Sequence, residues 1–261
     1  MAVEASRVAC QMLRRRLRGP LDRTLAALGY RLVPLREAPA GLDEADRDTC
    51  LEVAPFTMTS PRRVAALCRA VRHVVRSGIG GAIVECGVWR GGSMMAAART
   101  LLALGEADRD LYLFDTFGGM TAPGAEDVLF TGEPAAELLR SPLGERIAAR
   151  AGLDDVRGNV LGTGYPSGRV HFVEGPVEDT VPRHAPERIA LLRLDTDWYA
   201  STRHELEHLY PRLAPGGVLI VDDYCAWLGA RQATDEYLDR NAVRLLLHPI
   251  DDTGVIAVKP G

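Results

Sequence analysis

Four aspartates, Asp195, Asp197, Asp222 and Asp223, carry the strongest chemical signal in the sequence. The first pair closes an apolar run, Ile189–Leu194, and the second closes another, Val218–Val221. Both runs have the length and bounding of buried strands. Between them, Leu206, Leu209 and Leu213 recur at helical spacing over Ser201–Leu213, and Pro215-Gly216-Gly217 is expected to stop that helix. Strand, helix and strand within about thirty residues form a βαβ unit with parallel strands. If those strands are neighbours, roughly 4.8 Å apart, the carboxylates meet at the carboxyl edge of the sheet, where open α/β sheets bind ligands. Crowded anions repel one another and resist desolvation. A hard divalent cation, Mg²⁺ or Mn²⁺, would relieve them through oxygen ligation. A single strand-end aspartate would read more simply as a cap or a solvated turn residue.

A second stretch, Gly81 to Ser93, runs from an apolar strand through Glu85 into a glycine turn and then a small-residue helix, Met94–Leu104. Glycines there let a ligand approach backbone N–H groups at a helix N-terminus. The spacing is GxxxGG, which is neither the GxGxxG of dinucleotide folds nor a P-loop. The next strand, Asp110–Phe114, ends in Asp115, and an acid at that place typically accepts bonds from ribose hydroxyls. Glu85 with its glycines and Asp115 together describe a nucleoside pocket.

Elements that must position these residues are legible along the chain. Ser60-Pro61 reads as an N-cap and first-turn proline opening a helix over Arg62–Ser77. Val170–Val173 is a short strand ending in Glu174-Gly175, and a helical turn begins near Glu178. A helix over Ala226–Arg240 precedes Val243–Leu247 and Val255–Val258, expected to form an antiparallel hairpin. Residues 117–168, rich in glycine and proline around a helical segment at Glu133–Arg150, read as a lid insertion. Leu35–Cys50 reads as an acidic connection. Met1–Tyr30 reads as an amphipathic, locally basic helix, interrupted at Gly19-Pro20, that suits a homodimer arm. These readings divide the chain into a helical extension, 1–55, and an α/β domain, 56–261.

The 261 residues suffice for a large core without staples, and composition is that of a soluble globular protein. Net charge is −4, so nothing global points to nucleic acid or an anionic membrane. No apolar run reaches the length of a transmembrane helix. Five scattered cysteines without metal spacing suit a reducing cytoplasm.

Seven expected strands with a final hairpin resemble the class I methyltransferase fold: an α/β, Rossmann-like, mostly parallel sheet with helices on both faces. The wording IVECGVWRGGS, LFDTFGGM, NVLGTGYPSGRVHFVEGPVEDTVP, LLRLDTDWYASTRHELEHLYPRLAPGGVLIVDDY and ATDEYL is similar to the TylF/MycF family of metal-dependent sugar O-methyltransferases. The resemblance covers roughly Phe56 to the C-terminus. It implies that Glu85, Gly87, Gly91 and Ser93 surround the methionine part of S-adenosylmethionine and that Asp115 holds the ribose. It implies further that Glu174, Gly175 and Glu178 lie near the adenine, and that Met58, Thr59 and Ser60 cover the cofactor. Asp195, Asp222 and Asp223 match the family's metal triad, and Asp197 its proposed general base.

The expected activity is S-adenosylmethionine- and Mg²⁺-dependent methylation of a deoxysugar hydroxyl on a glycosylated natural product, with the noviosyl 4-OH of an aminocoumarin as one specific case. Two vicinal hydroxyls would chelate the metal well, which favours a diol-bearing sugar. Three rivals stand beside this reading: a catechol-type O-methyltransferase, an NAD-dependent oxidoreductase, and a binding module without chemistry. The missing GxGxxG counts against the second, and the gathered anions count against the third.

Overall fold

The computed structural model describes residues 42–142, 144 and 148–261. The helix and homodimer arm expected over Met1–Tyr30 lie outside the described residues. The strands are β1 (Ala82–Cys86), β2 (Leu111–Asp115), β3 (Val170–Glu174), β4 (Ile189–Leu194), β5 (Leu213–Val221), β6 (His248–Pro249) and β7 (Val255–Val258). They form one seven-stranded sheet in the order β3-β2-β1-β4-β5-β7-β6. Strands β1 to β5 run parallel, and β7 pairs antiparallel with both β5 and β6. This is the expected class I methyltransferase architecture.

The order reverses at β1, which has β2 on one side and β4 on the other. A crevice opens at such a point because connections leave the two neighbours in opposite directions. Strands β1 and β4 are buried along their whole length. That burial explains why they read as unbroken apolar runs, since parallel strands are covered on both faces. Their side chains alternate between two cores. Ile83 and Leu191 pack on one face with helices α1 (Glu44–Val53), α2 (Pro61–Arg76), α3 (Gly92–Ala103) and α5 (Leu153–Leu161). Val84, Cys86, Leu192 and Leu194 pack on the other with α6 (Val177–Thr180), α7 (Tyr199–Leu209) and α8 (Leu228–Arg240). A short helix, α4 (Ala135–Arg140), belongs to the insertion. Ala135 joins Trp198, Ala226, Trp227 and Ala230 in a third, smaller cluster.

Several elements differ from the sequence reading. The acidic connection contains helix α1, capped by Asp43, whose Oδ1 accepts the Asp46 N–H at 2.8 Å. Cys50 and Val53 bury against α2 and α3, and Asp46 is fully buried with Arg72 Nη2 at 2.5 Å from its carboxylate. Of the helix expected over Glu133–Arg150, the described residues show α4 and a helical Gly144, and α5 occupies part of the stretch expected to be loop. Helix α7 ends at Leu209, and Pro215-Gly216-Gly217 lies inside β5 rather than ending the helix. The register against β4 jumps there, from Ile189↔Leu213 to Leu191↔Val218, so the three residues form a bulge. The expected hairpin strand Val243–Leu247 is not a strand. Val243, Leu245 and Leu247 pack against the core, but only His248 and Pro249 enter the ladder with β7.

Candidate active site

The carboxyl ends of β1, β2, β4 and β5 open onto a cavity of about 510 Å³. On one side it is lined by Gly87, Val88, Trp89, Ser93, Asp115, Gly175 and Glu178. On the other it is lined by Asp195, Asp197, Asp222, Asp223 and Trp227, with Met58 and Thr59 against both groups.

The glycine turn is shaped by close approach. Gly87 has φ +81°, and a Cβ there would lie 2.0 Å from the Asp195 carbonyl oxygen. Only glycine lets the ends of β1 and β4 come so near. Asp115 fastens the turn: its Oδ2 accepts the Val88 and Trp89 N–H groups at 2.6 and 3.1 Å, and its Oδ1 accepts that of Phe117 at 2.7 Å. Thus the carboxylate proposed for a ribose also sets the loop on which a nucleoside would rest.

Four of the expected residues stand back from the cavity wall. Ser60 caps α2, accepting the Arg63 N–H at 3.2 Å and donating to Asp251. Gly91, at φ +88°, lies against Val160 and Val156 of α5. Glu174 ends β3 beside Asp115 and is exposed. Glu85 is buried behind the turn, where it bonds Arg193 Nη1 at 2.6 Å. Burial pushes its carboxyl up to about 7, against the pull of that guanidinium.

The acids of β4 and β5 do converge. Asp195, Asp222 and Asp223 each offer an oxygen within 4.8 Å of the other two. Burial first, then mutual repulsion, holds the carboxyls of Asp195 and Asp223 well above the usual carboxylate range. Asp195 and Asp197 each also contact Asp223 at hydrogen-bond range. Asp197 is pushed up to about 8 by burial and by the charge of Asp195. Its φ of +67° lies in the left-handed region, a strained position for a residue with a Cβ. The Trp227 indole Nε1 donates to Asp197 Oδ1 at 2.8 Å, fixing one carboxylate oxygen. Trp227 in turn meets Trp198 edge-on, at 5.1 Å between ring centroids.

Two arginines that the sequence reading passed over complete the cluster. Arg193, in β4, reaches Glu85, Asp195 and Asp222, and Arg63, in α2, bonds Asp222 and Asp251. Arg193 had a signal in the sequence, being the one charged residue inside the apolar run Ile189–Leu194. Trp227 had none, because its partner lies 30 residues away, beyond α7 and β5. Six carboxylates, those of Glu85, Asp195, Asp197, Asp222, Asp223 and Asp251, face the guanidiniums of Arg63 and Arg193 and leave an excess of negative charge when all are ionised. Hard oxygen donors at this mutual distance fit a small divalent cation.

Comparison with known proteins agrees with this geometry. Residues 32–259 match the family model described as macrocin-O-methyltransferase (TylF). The chain is 35% identical over 199 residues to the mycinamicin III 3''-O-methyltransferase of Micromonospora griseorubida, covering 76% of each chain. It is 36% identical over 199 residues to the 8-demethyl-8-(2,3-dimethoxy-alpha-L-rhamnosyl)-tetracenomycin-C 4'-O-methyltransferase of Streptomyces olivaceus, covering 76% of this chain and 74% of that one. Among solved structures, the O-methyltransferase NovP superposes with a TM-score of 0.70 at 29% identity, covering 79% of this chain and 83% of that one. These matches set aside the oxidoreductase and the binding module, and the chain belongs to the macrocin-O-methyltransferase (TylF) family as an O-methyltransferase.

Proposed function

We propose that this O-methyltransferase transfers a methyl group from S-adenosylmethionine to a sugar hydroxyl of a glycosylated natural product, with a divalent cation held by Asp195, Asp222 and Asp223. The observation that carries the reading is the convergence of those carboxylates, beside Asp197, on the same cavity as the glycine turn. The relatives' names suggest the acceptor class: one is a 3''-O-methyltransferase of mycinamicin III, and the other a 4'-O-methyltransferase of a tetracenomycin C that carries a dimethoxyrhamnosyl group. The excess of carboxylates over guanidiniums supports both groups, since a divalent ion and a sulfonium each bring positive charge to it.

When bound, S-adenosylmethionine supplies an electrophilic methyl group and the divalent ion lowers the pKa of the acceptor hydroxyl. The chain's own residues do the rest. Gly87 and Ser93 keep the turn open to the methionine part, and Met58 and Thr59 lie along the cavity between the cofactor side and the acid side. Asp197 takes the hydroxyl proton on the oxygen not held by Trp227. Leu129, Leu138, Met120 and Trp227 form an apolar flank suited to a sugar face or aglycone. Most of the acceleration would then come from alignment and fixed charge.

Calorimetric titration of S-adenosylhomocysteine and then Mg²⁺ into wild type and Asp222→Asn tests the two-part site. Cofactor-product binding to both proteins, with Mg²⁺ binding to wild type alone, is the expected outcome. Well-folded wild type that binds neither would overturn the reading. Mass-spectrometric screening of deoxysugar glycosides, including a noviosyl aminocoumarin, against a catechol then identifies the acceptor. Methylation of the catechol alone would reassign the substrate class.

A further inference from the structure

Arg193 occupies the middle of β4, opposite Glu85 of β1 and Ile220 of β5 in register. Its side chain is 3% exposed, and it is not among the residues lining the cavity. It therefore meets no substrate directly, yet its guanidinium is shared among four parts of the site. Nη1 donates to Glu85 Oε1 at 2.6 Å and to Asp195 Oδ2 at 2.7 Å. Nη2 donates to Asp222 Oδ1 at 2.6 Å and to Thr59 Oγ1 at 3.0 Å. Thr59 donates onward to Asp222 Oδ2 at 3.0 Å. One planar fork thus joins the acid of the cofactor turn, two acids of the candidate metal triad and the segment beside the cofactor.

Burying a guanidinium is costly, and such a group persists only with several well-placed partners. Here burial works against the charge, and the surrounding carboxylates outweigh it. A role confined to stability would be served as well by apolar residues, as its neighbours in β4 show. What apolar residues could not do is hold Asp195 and Asp222 at a fixed separation before a cation arrives.

We propose that Arg193 is a positioning residue that presets Asp195 and Asp222 for a divalent cation and ties that preset geometry to Glu85 in the cofactor turn. This rests on the metal reading given above. Lysine at this position keeps the charge and loses the fork, because an ammonium cannot serve both arms of a planar pattern. Electrostatic competition with a bound cation then stays the same, and only the preset geometry changes. Glu85 bonds Arg193 and Ser93 and, among the described contacts, neither metal acid. Its charge also bears directly on Asp195 and Asp222, so only the orienting part of its influence on cation binding passes through Arg193.

The test is Mn²⁺ binding by full-length protein without cofactor, read by electron paramagnetic resonance, in wild type, Arg193→Lys, Glu85→Gln and the double variant. Thermal melts verify folding. Arg193→Lys should weaken Mn²⁺ binding about 10–100-fold, the usual effect of removing a group that orients ligands. Glu85→Gln should weaken it several-fold in the arginine background and much less in the lysine background. Wild-type Mn²⁺ affinity in folded Arg193→Lys, or equal effects of Glu85→Gln in both backgrounds, would overturn the proposal. If Arg193→Lys does not fold, Glu85→Asp, which keeps the charge and shortens the reach to Arg193, decides: an unchanged Mn²⁺ affinity overturns the proposal, and a several-fold loss upholds it. Wild type that binds no Mn²⁺ would remove the metal reading itself, and this inference with it.

Discussion

At the scale of single residues, the site works through groups held by other groups. Asp197 is strained in backbone and fixed in side chain, so its second oxygen is aimed by the Trp227 indole. Asp197→Asn should lower kcat by about 10²–10⁴-fold, the range of a positioned base, with S-adenosylhomocysteine affinity unchanged in calorimetry. Trp227→Phe removes one hydrogen bond to a charged group, about 1.5–3 kcal/mol, and should lower kcat roughly 10–100-fold with cofactor KM intact. A Trp227→Phe enzyme with wild-type kcat would dismiss the orienting role. Glu205 illustrates a different balance. It is wholly buried, its Oε1 accepts from Thr196 Oγ1 at 2.9 Å, and the Cys86 thiol lies in hydrogen-bond range of its carboxyl. Burial holds its carboxyl well above the usual carboxylate range. The folded state then keeps a proton that the unfolded state has lost. Stability is fully present below the unfolded pKa and is lost as pH rises from there towards the folded value. Glu205→Gln should melt higher than wild type at pH 8 and converge with it near pH 4. A constant difference across that window would contradict this account. The acids were legible in the sequence because they close apolar runs. Glu205 and Trp227 were not, because burial and a bond between residues separated by α7 and β5 leave no local pattern.

Elements were readable wherever period and punctuation agreed. Ser60-Pro61 marks the start of α2 because a cap and a proline at the first turn both suit the unsatisfied N–H groups there. Helix α1 was hidden by acidic residues that read as a solvated connection, although one of them, Asp46, is buried against Arg72. Helix α5 was hidden by Gly158 and Asn159, weak helix formers whose cost packing offsets. Val243–Leu247 alternates as a strand would, but alternation reports burial of every second side chain and not a ladder partner. Glycines were ambiguous for a related reason: those in β5 make a bulge and the one at 87 makes a contact, and only three-dimensional neighbours separate these roles. At Gly87 the neighbour is a backbone carbonyl, which has little room to yield. Gly87→Ala should therefore destabilise the fold by more than about 1 kcal/mol, beyond the usual range for a compatible site. Urea unfolding measures it, and an unchanged midpoint would mean that the β1–β4 approach is looser than the structure has it.

At the largest scale, the described residues form a mostly parallel sheet whose reversal point gathers chemistry from distant segments. Its topology could be anticipated because βαβ connections leave few alternatives, and six of the seven expected strands are found, Val243–Leu247 being the exception. The insertion could not be anticipated in the same way, since it is stitched on by tertiary bonds. Asp127 accepts the Tyr199 N–H at 2.7 Å, Phe130 N–H reaches Ala226 O at 2.9 Å, and Leu129 pairs with Trp227. No helix among the described residues is long and apolar enough to cross a membrane. One feature of this arrangement reaches beyond catalysis. The chain has three tryptophans: Trp89 and Trp227 line the cavity, and Trp198 abuts Trp227. The protein is therefore its own optical reporter. Its entire indole emission originates beside the ligands it would hold, undiluted by remote fluorophores. Trp89 lies on the cofactor side and Trp227 beside the acids, so replacing either by phenylalanine should leave a signal biased to one half of the cleft. Occupancy of the two halves could then be followed separately in solution, without a label.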